Sequence, residues 1–121
     1  SMPRLTVSKY STGKGKIKAG KEFVFTFDVK NPHPSASADN IVVTISSADN
    51  SFAIVEGSAS MFINSLKAGQ SETLSIPLKA KGDIATNGYD LTITFDYEYL
   101  TKDVANKNAL IKTQNKIEEK L

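Results

Sequence analysis

Two stretches of period-2 alternation constrain this chain more than anything else in it. Residues 21–30 read Lys-Glu-Phe-Val-Phe-Thr-Phe-Asp-Val-Lys, with Phe23, Phe25, Phe27 and Val29 on one side of an extended chain and Glu22, Thr26 and Asp28 on the other. Only Val24 departs from the pattern. Residues 89–99 alternate without a break: Tyr89, Leu91, Ile93, Phe95, Tyr97 and Tyr99 share a face, and Asp90, Thr92, Thr94, Asp96 and Glu98 share the other. Successive side chains of a strand point to opposite faces, whereas helical neighbours recur at three and four residues. Both segments are therefore strands with one face buried.

Shorter alternating runs and regularly spaced turn signals extend this reading. They predict seven strands, at 3–10, 21–31, 40–47, 61–66, 71–80, 88–100 and 108–117. The separators include Asn31-Pro32-His33-Pro34, Asp49-Asn50, Ala68-Gly69 and Asn87-Gly88, and Asp39-Asn40 reads as a further Asx-type turn. Pro77 falls inside the run at 71–80 and implies an edge or a bulge, because proline donates nothing to a ladder. The segment 108–117 admits two readings. As a strand it aligns Ala109, Ile111, Thr113 and Ile117, and as a helix it lines up Leu110, Gln114, Ile117 and Leu121. A sandwich built from the other six still lacks a closing strand, which favours the strand.

Strong alternation over this many short segments predicts an all-β fold, an immunoglobulin-like β-sandwich of about seven antiparallel strands. Its expected core is Leu5 and Val7, Phe23 to Val29 in alternation, Ile41, Val43 and Ile45, Phe62 and Leu66, Leu74, Ile76 and Leu78, and Leu91, Ile93, Phe95 and Tyr97. One internal echo accompanies the pattern. Ile17-Lys18-Ala19-Gly20-Lys21 leads into one strand and Leu66-Lys67-Ala68-Gly69-Gln70 into another, and the two align without gaps through Lys30 and Lys79. The economical reading is one device used twice, a glycine turn that opens a strand.

At 121 residues, 40% hydrophobic and 23% charged, the chain has the size and composition of one globular domain. Ser1-Met2 reads as a cloning scar, residues 3–118 as a single sandwich domain, and 119–121 as a frayed tail. No cysteine is present, which excludes disulfides, thiolate metal sites and cysteine nucleophiles. A net charge of +2 with interleaved signs gives no footprint for nucleic acid, and no apolar run is long enough to insert in a membrane as a helix.

The arrangement resembles a known family. Pro3-Arg4-Leu5-Thr6-Val7, the Ile17 to Phe23 segment, Asn31, Ala38 to Val43, Phe52 with Gly57, the Leu66 to Ser71 turn and the Tyr89 to Tyr99 strand carry the resemblance. It is to the conserved-repeat immunoglobulin-like domains of S-layer-type and other surface proteins of Gram-positive bacteria and archaea, similar to bacterial cell-adhesion-related domains. It covers roughly residues 3–100. The resemblance implies an extracellular, cell-wall location in a larger exported protein, a role as structural spacer or adhesive unit, and no catalytic residues.

The residues themselves offer little chemistry. His33 is the one histidine, and it lacks the three or four ligands of a zinc site and the positioned partner of a general base. Asp28, Asp90, Asp96 and Glu98 project to outer faces with no calcium-loop spacing around them. Tyr97 and Tyr99, with Tyr10, are packing residues of the core or rim whose alternative use is an aromatic platform for a ligand. No phosphate loop or nucleophile elbow occurs. The expectation is a non-enzyme with no cofactor and no metal, whose ligand contacts, if any, are Tyr97, Tyr99 and His33. Its partners are neighbouring domains of the parent chain, with cell-wall glycan or a host or matrix protein as the alternative through loops 31–39 and 47–60. Lys9, Lys30, Lys79 and Lys112 stud strand ends and predict a monomer by guarding sheet edges.

Overall fold

The computed structural model describes residues 2–13, 17–47, 52–55, 57–82, 90–102 and 108–120. Every regular element among them is a strand: β1 (Thr6–Ser11), β2 (Glu22–Lys30), β3 (Ala38–Ser46), β4 (Phe52–Ile54), β5 (Ser60–Leu66), β6 (Ser71–Ala80), β7 (Asp90–Lys102) and β8 (Asn108–Lys120). They form two four-stranded antiparallel sheets in the orders β1-β2-β6-β4 and β5-β3-β7-β8. The chain is an all-β sandwich, in which β4 forms an edge beside β6 and β5 an edge beside β3.

Residues of both sheets meet in one core. Leu5, Phe25, Phe27, Val29, Ile41, Val43, Leu66, Leu78, Leu91, Ile93 and Phe95 are fully or almost fully buried, and Ala38, Ile63 and Tyr99 join them. Val7, Phe23 and Leu74 pack against this core from partly exposed positions. Phe25 and Phe27 stack with ring centroids 5.0 Å apart.

Five expectations are corrected. The first concerns β4, a three-residue strand too short to show a period, which Phe52 joins to the core by an edge-on contact with Phe23 at 5.4 Å. Second, Phe62 is not a core residue: it is 73% exposed, and Ile63 takes its place inside at 3%. Third, Asp39-Asn40 is not a turn. Asp39 opposes Glu98 and Val42 opposes Asp96, so three steps along β3 face two along β7. This bulge is built on Asn40, which takes the left-handed region at φ 50°, a conformation Asn tolerates better than most residues. The bulge returns Ala38 to the core side. Leu66, its partner on β5, is buried with it, which explains why the β5 faces change phase between Ile63 and Leu66.

The fourth correction is at the C-terminus, where β8 runs to Lys120. It pairs with β7 from Lys102↔Asn108 to Asp90↔Lys120, so the closing element is a strand and residues 119–120 are part of it. The fifth concerns the guarding lysines. Lys30 and Lys79 lie on β2 and β6, which are interior strands of their sheet, and only β1 and β8 of the four expected carriers are edges. Asp49-Asn50, Asn87-Gly88, Tyr89 and Leu121 lie outside the described residues.

Pro77 sits in β6 between β2 and β4, where β4 runs out. Val55 N–H donates to Pro77 O at 3.3 Å, so the backbone groups of Pro77 face the β4 side. The donor it lacks is therefore missing just past the last β4 pair, Ile54↔Leu78, and the Val24↔Pro77 contact with β2 needs no hydrogen bond from it.

The two echoing segments form the centre of the first sheet. In each turn the fourth residue closes on the first: Lys21 N–H to Lys18 O at 3.1 Å and Gln70 N–H to Lys67 O at 2.9 Å. Gly20 and Gly69, at φ 73° and 78°, occupy the position that demands a left-handed residue. β2 and β6 pair with Thr26 opposite Ser75, and those two positions are also equivalent in the gapless alignment. A local two-fold axis thus passes through the Thr26–Ser75 pair, whose hydroxyls are 2.9 Å apart. Each turn docks on the far end of the other strand. Gly20 N–H reaches Ala80 O and Ala80 N–H reaches Lys21 O, both at 3.0 Å; Gly69 N–H reaches Asn31 O at 2.7 Å and Asn31 N–H reaches Gln70 O at 2.9 Å.

Candidate functional site

The most elaborate polar arrangement lies where β2 leaves the first sheet. Asn31 follows the last residue of β2 and is completely buried. Its Nδ2 donates to Ala36 O and Leu66 O, each at 2.9 Å, and its Oδ1 accepts the His33 N–H at 3.1 Å. With the two main-chain bonds to the Lys67–Gln70 turn, this side chain ties the 31–37 segment to β5 and β6. Burying an amide stabilises only when each of its groups finds a partner, and here they do.

His33 completes the segment. Its Nδ1 accepts the N–H groups of Ser35 at 3.0 Å and Ala36 at 2.8 Å. That nitrogen is occupied by the loop's own backbone, so it is not free to ligate a metal or take a proton from a substrate. No group of three or more His, Asp and Glu residues with metal-binding geometry occurs among the described residues.

Tyr97 and Tyr99 are buried, at 2% and 9% exposure. Tyr97 Oη donates to Pro3 O at 2.7 Å and so anchors the segment leading into β1, with Leu5 buried beside it. Burial pushes the Tyr97 phenol above its usual value of 10.0, against smaller lowering effects from the Leu5 backbone and Arg4. Tyr10 stands apart on β1 opposite Phe27, 41% exposed, with its ring 5.9 Å from that of Phe25. The three tyrosines therefore point between the sheets, two from one and one from the other, and form no outer platform.

Of the outer-face acids, Asp28 and Glu98 are engaged locally, as is Asp39, and the side chain of Asp90 lies outside those described. Asp28 accepts from Thr73 Oγ1 at 2.5 Å and lies 3.6 Å from Lys9 Nζ. Glu98 accepts from Asn40 Nδ2 at 2.8 Å, and Asp39 accepts from Ser65 Oγ at 2.7 Å and Ser37 Oγ at 3.0 Å. A shallow groove beside Lys9, Tyr10, Asp28 and Thr73 is open to solvent and lined mainly by apolar surface.

Loops 31–39 and 47–60 do not form one site. Residues 31–37 lead into β3 and Ser47 follows it, so the described parts of the two loops join β3 at opposite ends; residues 48–51 and 56 lie outside the described residues. Sequence reasoning missed Asn31, whose role depends on carbonyls five and thirty-five residues away, and it misplaced Phe62. The run Ile63-Asn64-Ser65-Leu66, with two polar residues between apolar ones, was the available sign of the phase change.

Comparison with known proteins adds little to this geometry. No family model and no curated protein matches the sequence. Among solved structures, the chain is similar to the solution structure of a putative late embryogenesis abundant (LEA) protein, at 22% identity, with a TM-score of 0.33, over 99% of this chain and 71% of that one. A superposition that loose supports no functional transfer.

Proposed function

We propose that this chain is a non-catalytic structural module, a spacer in a larger exported cell-surface protein. The observation that carries this reading is the placement of its two ends. Thr6 opens β1 opposite Lys30, at the end of the sandwich that holds the 31–37 segment. Lys120 closes β8 opposite Asp90, at the other end. A module that is entered at one end and left at the other adds its length to a stalk. The thirteen-residue β7–β8 ladder sets that length at about 40 Å at the usual rise per strand residue. The polar groups with chemical potential, Asn31, His33 and Tyr97, are consumed in holding the entry end together.

Small-angle scattering on chains of two and three fused copies tests the proposal. A spacer lengthens the maximum dimension by about 40 Å per copy. Copies that fold back into a compact particle would reject it.

A second reading, recognition of a glycan or protein through loop 31–39, has one observation in its favour. The 31–37 backbone is held in a single shape by Asn31 and His33, and a preorganised loop loses less entropy on binding. Saturable binding on a glycan array that His33→Ala weakens would favour it over the spacer.

A further inference from the structure

The second sheet ends on β5, and this edge is unlike the others. A free edge offers unpaired backbone groups, and natural sheets blunt it with charge, proline, bulges or shortness. β4 is three residues long, β1 carries Lys9 and a register shift, and β8 carries Lys112, Lys116, Glu118, Glu119 and Lys120. β5 reads Ser-Met-Phe-Ile-Asn-Ser-Leu, with no charge and no proline, and its Phe62 is 73% exposed.

We propose that β5 is a homotypic docking edge, at which a second copy of this chain adds its own β5 antiparallel about a two-fold axis at Phe62. The backbone directions allow it. Ile45 N–H donates to Ala59 O at 3.0 Å, which makes that pair a hydrogen-bonded one. Alternation from Ala59 turns the backbone of Met61 and Ile63 toward β3 and that of Ser60, Phe62 and Asn64 outward. With Phe62 opposite its own copy, the two outward N–H and C=O groups of each Phe62 bond each other. Asn64 N–H of each chain meets Ser60 O of the other. Ser60 N–H takes no part, because it already donates to Ser58 Oγ at 3.1 Å.

The side chains are self-complementary in the same register. On the core side Met61 faces Ile63 in both directions, apolar against apolar. On the outer side Phe62 faces Phe62 and Ser60 faces Asn64, an aromatic pair flanked by neutral polar pairs. A shift of one residue in either direction places an inward apolar side chain on the outer face of the joint sheet. No charge opposes another in the favoured register, so a second copy fits this edge without repulsion. An interface of one strand per chain is small and falls in the weak, transient class.

Sedimentation velocity from about 10 µM to about 1 mM, the range in which a weak interface becomes populated, tests the proposal. The expected result is a concentration-dependent dimer that Phe62→Lys abolishes and Phe62→Glu abolishes. Mixing those two variants restores dimer, because the lysine and glutamate then lie directly opposite each other. Both changes are at an exposed position, and circular dichroism verifies that each variant stays folded. A chain that is monomeric throughout overturns the proposal. So does a dimer that survives Phe62→Lys, which would point to the exposed Val24 and Val55 on the other sheet, and so does a failure of the mixed variants to pair.

Discussion

Replacing Asn31 by aspartate exchanges the amide nitrogen of a buried side chain for an oxygen and removes the donor of two hydrogen bonds. In the native chain Nδ2 donates to the carbonyls of Ala36 and Leu66 at 2.9 Å each. The Asp variant sets a carboxylate oxygen against both carbonyls and keeps only the bond from His33 N–H, seen at 3.1 Å. A buried group stranded without its partner costs about 1–3 kcal/mol. With two carbonyls stranded, Asn31→Asp is expected to lose about 3–5 kcal/mol, a large share of the roughly 5–15 kcal/mol that holds a domain folded. Burial and the facing carbonyls disfavour the ionised acid, so the folded-state pKa of the introduced aspartate rises above its unfolded value of about 3.9. Its folded form is then favoured below that pH and loses ground as pH rises through the raised folded value. Urea unfolding of both proteins at pH 3.5 and pH 7 reads the effect. The deficit of the variant should be smaller at the lower pH. A deficit below about 1 kcal/mol at pH 7 would refute the claim that Asn31 is the hub of this end of the sandwich.

Three further outcomes follow from the structure. Gly20→Ala and Gly69→Ala should each cost about 1–2 kcal/mol, because both backbones require positive φ while a methyl group meets no atom closer than 3.9 Å at either site. The two losses should be similar by thermal melting, and a neutral result at one of them would break the equivalence of the turns. Tyr97→Phe removes the bond to Pro3 O and should cost about 1 kcal/mol in urea unfolding near neutral pH. The raised phenol favours the folded state below pH 10 and loses that contribution as pH rises beyond it, so the gap between wild type and Tyr97→Phe should narrow between pH 9 and pH 11.

The sandwich was legible because its central strands bury one face each, and such strands write the burial into every second residue. Phe23 to Val29 and Leu91 to Tyr99 are of this kind. What was not legible depends on partners far along the chain. Strand order decides whether a lysine guards an edge, and nothing local to Lys30 or Lys79 reveals that each lies between two neighbours. The bulge at Asn40 changes the faces of two strands at once, so Phe62 appeared inward by simple counting. Asn31 looked like a turn former beside a proline, and its buried role is set by the carbonyls of Ala36 and Leu66. The Nδ1 of His33 accepts from Ser35 and Ala36, contacts that depend on the loop's folded shape and that a histidine between prolines does not announce.

The two-fold relation between β2 and β6 has a consequence for fidelity. Alternating faces forbid a slip of one residue, since it would turn every phenylalanine outward, but they do not forbid a slip of two. Pairing Phe25 with Leu74 instead of Ile76 would keep all apolar side chains inside. The glycine turns close that loophole from both ends. A two-residue slide would carry Ala80 away from Gly20 and Asn31 away from Gly69 in the same motion, breaking four main-chain bonds and pulling the buried Asn31 amide off its carbonyls. Hydrophobic patterning chooses which side of the ribbon faces inward, and the paired latches choose which rung meets which.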